Sequence, residues 1–176
     1  MWMEASLPAS EPPRLFVVMG VAGCGKSTIA EGIAEALDGT YLDGDSFHPP
    51  GNIAKMSAGQ PLTDADRWPW LSIFASEIAS REGRVVGACS ALKKSYRDHI
   101  TKAASAPVLF IYLNGSQDLI ATRMNARTGH FMPPSLLESQ FAALEVPGPD
   151  ETAISVDISG APSQIIADAI EKILHR

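Results

Sequence analysis

The stretch Gly20-Val21-Ala22-Gly23-Cys24-Gly25-Lys26-Ser27 holds residue types at a spacing suited to gripping phosphate. It fits G-x-x-x-x-G-K-[ST], with the apolar run Leu15 to Met19 before it and a helical pattern from Thr28 after it. The glycines let the backbone curl so that successive N–H groups face phosphate oxygens. The helix that follows adds its positive end, and Lys26 adds a full charge. Ser27 is placed to offer a hydroxyl to a magnesium ion. Gly20, Ala22, Gly23, Cys24, Gly25, Lys26, Ser27 and Thr28 are therefore the expected cradle of a nucleoside triphosphate.

Further groups suited to chemistry lie downstream. Asp43 and Asp45, one glycine apart at a strand end, are two carboxylates that repel unless a cation or shared proton intervenes. One could hold magnesium through water while the other takes the proton of an attacking hydroxyl; a solvated acidic turn is the plain alternative. Lys93 and Lys94, with Arg97 one turn on, put cations at a helix's positive end, a conflict that a bound anion would remove. A solvated basic face would serve equally. Arg123 and Arg127, four apart, lead into Gly129-His130-Phe131-Met132-Pro133-Pro134, which suits a lid closing over polyphosphate. Arg67 is either a structural ion pair or a fork for a substrate carboxylate. Trp70 reads as a packing anchor. His48 and His130 have no metal-spaced partners, which argues against zinc.

The elements that must position these groups alternate strand and helix. Strands are expected at Leu15–Met19, Thr40–Leu42, Arg84–Ala88, Val108–Leu113 and Ala153–Ile158. The helices between them run Lys26–Leu37, ended by Gly39, then a short piece through Met56, Pro69–Glu82 with proline in its first turn, and Leu92–Lys102. Ser116–Arg127, capped by Ser116, and Ser135–Leu144 follow. Pro162–Leu174 closes the chain, with Ile165, Ile166, Ala169, Ile170, Ile173 and Leu174 facing inward. Such alternation implies an α/β fold, a parallel sheet wrapped on both faces, with ligands beyond the strands' carboxyl ends.

Bulk properties narrow the function classes. With 176 residues, 45% of them apolar and 19% charged, the chain is expected to form one globular domain from residue 14 to 176. Residues 1–13, rich in Pro, Ser and Glu, read as a disordered tail. A net charge of −6 argues against nucleic acid as the main partner. No apolar run reaches the roughly 18–20 residues of a membrane span. Only Cys24 and Cys89 are present, so a cytoplasmic setting without disulfides is expected.

With these stretches in hand, the chain resembles the gluconokinases, small P-loop kinases related more distantly to shikimate and adenylate kinases. Beyond the phosphate loop, the resemblance rests on DGDSFHPPGNIAKMSAGQPLTDADRWPWL (Asp43 to Leu71), CSALKKSYRD (Cys89 to Asp98), RMNARTGHFM (Arg123 to Met132) and LLESQFAALEVP (Leu136 to Pro147). It implies the P-loop kinase fold, with strand order 2-3-1-4-5 and a mobile lid around residues 123–147. It also implies transfer of the ATP γ-phosphoryl group to the 6-hydroxyl of D-gluconate, with Mg2+ and a possible homodimer.

Under that resemblance Asp43 joins Ser27 near magnesium, and Asp45 orients or deprotonates the acceptor hydroxyl. Lys26, Asp45 and Arg127 are then the catalytic set. Substrate contacts come from Asp45, His48, Arg67, Lys93, Arg97 and His130, while Arg123 and the turn at Pro162 lie on the adenine side. Cys24 departs from the family's usual small residue, and as a thiol at a helix N-terminus it is expected to have a lowered pKa. A kinase of another hydroxy acid such as shikimate, or a nucleotide-dependent switch without an acceptor, are the rival readings.

Overall fold

The computed structural model describes residues 12–126 and 134–176. Five strands, β1 (Leu15–Met19), β2 (Thr40–Asp43), β3 (Val85–Ala88), β4 (Val108–Asn114) and β5 (Ala153–Asp157), form one sheet in the order β2-β3-β1-β4-β5. All pairings are parallel, with Val18 and Asp43 both in register with Ala88. The expected order and helical wrapping are thus observed.

Alternate residues of the central strands go to opposite faces, and both faces are buried, which is why these strands read as continuous apolar runs. Phe16, Val18, Leu109 and Ile111 join Ile29 and Ile33 of helix α1 (Lys26–Ala36) and Ile165 of helix α7 (Pro162–Leu174). Leu15, Val17, Val108 and Phe110 join Leu71, Phe74 and Ile78 of α3 (Asp64–Ser80) and Ile100 of α4 (Lys94–Ala104). Helix α2 (Pro50–Ser57) precedes α3. Helices α5 (Gln117–Asn125) and α6 (Pro134–Ala143) lie between β4 and β5 in sequence. Ser116 caps α5 as expected, accepting from the Leu119 N–H at 3.1 Å.

Three expectations need correction. Helix α3 begins at Asp64, five residues before Pro69, so this proline lies inside the helix. The true start is a capping box: the Thr63 hydroxyl accepts from the Asp66 N–H at 3.2 Å, and the Asp66 carboxylate accepts from the Thr63 N–H at 2.9 Å. Pro69 forgoes the bond to the Ala65 carbonyl, but burial of Trp70 and Leu71 directly after it holds the helix together. At the end of α1 the left-handed residue is Asp38 (φ 52°), not Gly39. Gly39 instead donates its N–H to the Ala34 carbonyl at 2.8 Å, closing a Schellman motif. Leu174, expected to face inward, is 66% exposed, at the final residue of α7.

Thr63→Ala removes one arm of the capping box. It is expected to cost about 1 kcal/mol and to lower the melting midpoint by about 2–4 °C, as followed by circular dichroism. An unchanged midpoint would show that the box adds nothing to α3.

Candidate active site

At the carboxyl end of β1 the chain turns through Gly20 to Gly25 into α1. Gly25 is the residue before the helix and sits at φ 93°, ψ 23°, a left-handed conformation that a side chain would strain. Lys26 begins the helix and donates from Nζ to the Val21 carbonyl at 3.0 Å, so its ammonium folds back across the loop. Ser27 and Thr28 are exposed at the loop's mouth. A cleft of about 280 Å3 opens beside the loop, lined by Gly23, Cys24, Gly25, Thr28, Arg123 and Pro162 among others. The Arg123 guanidinium donates to the Ser159 and Gly160 carbonyls, both at 3.2 Å, and so ties α5 to the turn before α7. The expected adenine-side residues therefore meet. A wider hollow of about 350 Å3, between α4 and the start of β4, lies at the opposite end of the strands, away from this loop.

The Asp43–Asp45 corner reaches the same edge. With Asp43 and Val18 both opposite Ala88, β2 and β1 are two strand spacings apart, roughly 9–10 Å. Gly44 comes so close to β3 that a Cβ there would lie 2.4 Å from the Ala88 carbonyl oxygen. A 3-10 turn, Gly44–Phe47, starts at Asp43, whose side chain accepts from the Asp45 N–H at 3.0 Å. This turn was not foreseen. It leaves the Asp45 side chain 85% exposed and directed outward.

Charges report the convergence. Burial pushes the Tyr41 phenol up, opposed by the nearby Ser27 hydroxyl and helped by Asp43, Glu31 and Asp45. Burial pushes the Cys89 thiol, under the corner, up to about 12, while it feels Lys26 on one side and Asp45 and Asp43 on the other. Lys26, Ser27, Asp43 and Asp45 therefore share one neighbourhood. Among the described residues no three His, Cys, Asp or Glu side chains cluster as a metal cage. One hydroxyl and one or two carboxylates suit magnesium, which keeps waters and leans on substrate phosphates.

Beyond Asp45 lies a wall built by the Gly44 to Phe47 turn, α2, α3 and α4. His48 stacks on Trp70 at 4.1 Å, and Trp70 Nε1 donates to the Gly44 carbonyl at 2.8 Å, the anchoring role expected of it. The Asn52 amide donates to His48 Nδ1 (3.2 Å) and to the Asp66 carbonyl (3.0 Å), leaving His48 Nε2 toward Asp45 at 3.8 Å. Burial lowers the His48 pKa, outweighing Asp45, so the ring is neutral near pH 7 with its Nε2–H turned to the corner.

Farther along, Tyr96 donates to Asp64 at 2.5 Å, and Arg67 (3.4 Å) and Lys93 (3.7 Å) both face the same carboxylate. Both cations also lie over the Tyr96 ring, at 5.5 and 5.6 Å. The Tyr96 hydroxyl, then Lys93 and Arg67, hold Asp64 below the usual carboxylate range, while burial and Asp64 push Tyr96 to about 12. Tyr96 and Asp64 were missed from sequence because an aromatic and an acid on separate helices have no shared local pattern.

Three sequence expectations fail here. Arg97 is 1% exposed and does not face the groove. Its guanidinium donates to Glu151 through Nε (2.7 Å) and Nη2 (3.0 Å), and to the Ala91, Leu92 and Glu145 carbonyls. With every arm engaged it is a structural cation, and it holds Glu151 below the usual range. The anion expected near Lys93 and Lys94 belongs to the chain itself: Glu145 accepts from the Lys94 N–H at 2.9 Å, and Lys94 Nζ pairs with Asp98 at 2.8 Å. Cys24, expected to have a lowered pKa, is raised instead, because burial outweighs the Lys26 charge and the backbone bonds. Arg127 and His130 lie outside the described residues, as does the Gly129 to Pro133 part of the expected lid.

A phosphate loop of this geometry, at the central strand of a 2-3-1-4-5 parallel sheet with an acidic corner beside it, defines the class of small P-loop kinases. Residues 15–147 match the family model described as an AAA domain. The chain is 46% identical over 162 residues to the gluconokinase of Gluconobacter oxydans (strain 621H), covering 90% of each. It is 43% identical over 166 residues to the thermoresistant gluconokinase of Escherichia coli (strain K12), covering 91% of this chain and 93% of that one. The crystal structure of a gluconokinase from Sinorhizobium meliloti 1021 superposes with a TM-score of 0.86 at 47% identity, covering 93% of each chain. The chain belongs to the gluconokinase family.

Two measurements check the corrections. Arg97→Met leaves the Glu151 carboxylate with the Gly148 N–H but without its cation, and is expected to cost about 3–5 kcal/mol in urea unfolding, with the KM for the acid substrate unchanged in the folded protein. A raised KM without loss of stability would return Arg97 to the groove. Native protein treated with iodoacetamide at pH 7.5 is expected to leave Cys24 and Cys89 unlabelled by mass spectrometry, with both reacting after unfolding. Fast native labelling of Cys24 would show a thiolate instead.

Proposed function

We propose that this chain transfers the γ-phosphoryl group of ATP to the 6-hydroxyl of D-gluconate, with Mg2+ bound through Ser27 and, via water, Asp43. One observation carries the reading. The carboxyl ends of β1 and β2 bring a phosphate cradle and the exposed Asp45 carboxylate to one edge, with a cationic wall beyond. Held by Ser27 and, through water, Asp43, a magnesium ion would supply positive charge against the negative charge of the phosphates.

The chain's own residues do the rest. The loop amides and Lys26 hold the phosphate oxygens and offset charge that develops on them during transfer. Asp45 aligns the acceptor hydroxyl and takes its proton, with the neutral His48 Nε2–H beside it as a hydrogen-bond donor. Arg67 and Lys93 share a single carboxylate, Asp64, so one positive charge is left over. That surplus suits the substrate's carboxylate at the end remote from the 6-hydroxyl. Arg123 and Pro162 border the adenine. Arg127 and His130 complete the phosphate and substrate contacts by resemblance alone. No nucleic acid enters the proposal, given the acidic charge balance. No helix among the described residues is long and apolar enough to cross a membrane, and the two free cysteines suit a reducing cytoplasm.

The test is an ADP-coupled assay with gluconate and with shikimate, and the product mass measured. Phosphogluconate is the expected product. Lys26→Ala and Asp45→Asn are each expected to lower kcat by about 10²–10³ or more, with melting midpoints close to the parent's. A folded Asp45→Asn protein with near-parent kcat would remove Asp45 as the base.

A further inference from the structure

The first half of the phosphate loop is held from the far end of the chain. The Ala22 N–H donates to Gln140 Oε1 at 2.9 Å, a contact between residues 118 apart in sequence. Gln140 lies on α6, which is fastened to the core by the buried Leu137 and the packed Phe141. The partner of Lys26 Nζ is the Val21 carbonyl, at 3.0 Å. The Val21 carbonyl and the Ala22 N–H belong to the same peptide unit. In a planar trans peptide these two groups point in opposite directions. One plane is therefore clamped from both sides, by the Lys26 ammonium on one and the Gln140 carboxamide on the other. The orientation of the carboxamide is fixed by chemistry, because a backbone N–H can only donate and must meet the amide oxygen.

We infer that Gln140 is a positioning residue for Lys26, acting through the Val21–Ala22 peptide. The Val21 carbonyl also accepts from the Cys24 N–H at 3.3 Å, so without an acceptor at Ala22 the peptide is held on its carbonyl side alone, and the Val21 carbonyl presents itself less firmly to Lys26. With the acceptor in place, each hydrogen bond polarises the peptide in the sense that strengthens the other. The lysine then waits across the loop's mouth, already ordered, so less ordering is needed when a triphosphate arrives. The arrangement also links α6 to the phosphate loop. The inference rests on the nucleotide-binding part of the proposed function and not on the identity of the acceptor.

A double-mutant cycle on the full chain tests it, read by titration with a fluorescent N-methylanthraniloyl ATP in the presence of Mg2+. Gln140→Met, close in volume but without a strong acceptor, is expected to weaken binding about five- to tenfold in the parent, the worth of one such hydrogen bond. In a Lys26→Ala background the same change is expected to have less than a twofold effect, because the group it positions is gone. Gln140→Asn, one methylene too short to reach Ala22, is expected to behave like Gln140→Met and stands in should that variant fold poorly. Parent-like affinity in either folded variant, or an equal loss in both backgrounds, overturns the inference. Parent protein that binds the nucleotide but fails to phosphorylate gluconate would sink the substrate reading and leave this one intact.

Discussion

The parallel pairing of β3 with both β1 and β2 is the constraint on which the rest of the molecule depends. Ala88 stands opposite Val18 on one side and Asp43 on the other. Both neighbours therefore end at one level, and the loops that leave them meet across a gap set by the strand spacing. Neither the phosphate loop nor the acidic corner carries this information by itself. It comes from burial: β3 is covered on both faces, and a one-residue slip would exchange the side chains packed on the two helix layers, putting a side chain against Phe74 where only Gly87 leaves room.

Around that edge the chain uses its charges in two different ways. Arg97, buried with all arms satisfied, gathers the Ala91–Leu92 turn, Glu145 and Glu151, and so holds together the base of the wall beyond Asp45. Arg67 and Lys93 remain partly exposed and share Asp64. Burial separates the roles: a desolvated cation with a full set of acceptors has nothing left to offer a ligand, whereas a half-solvated pair can exchange one carboxylate for another. In this gluconokinase-family chain, framework and groove thus both draw on cations, with Lys93 at the N-cap of α4 and Arg97 one helical turn on.

Much of this was legible in the sequence. The phosphate loop announced itself because its chemistry is local, and the strand order followed from the resemblance once the α/β alternation was clear. Asp43 and Asp45 could be placed because a strand end needs no distant partner to project them. Arg97 could not, since its acceptors lie as far as 54 residues away and only burial tells a structural arginine from a binding one. Cys24 misled for a related reason: the helix N-terminus lowers a thiol's pKa, but desolvation, invisible in sequence, outweighs it. The start of α3 was written plainly in Thr63 and Asp66, yet Pro69 drew the boundary to itself because proline so often opens a helix. Gln140 gave no signal, as its partner is a backbone amide at the other end of the chain.

The contact of Gly44 with β3 bears on mutational tolerance. Any side chain at this position would wedge against the Ala88 carbonyl and prise the second strand from its neighbour. The two flanking carboxylates would swing with it. Position 44 is thus a place where a change as small as an added methyl group would displace Asp43 and Asp45 without touching either side chain. A survey of variants that scored only ligand-facing residues would pass it over.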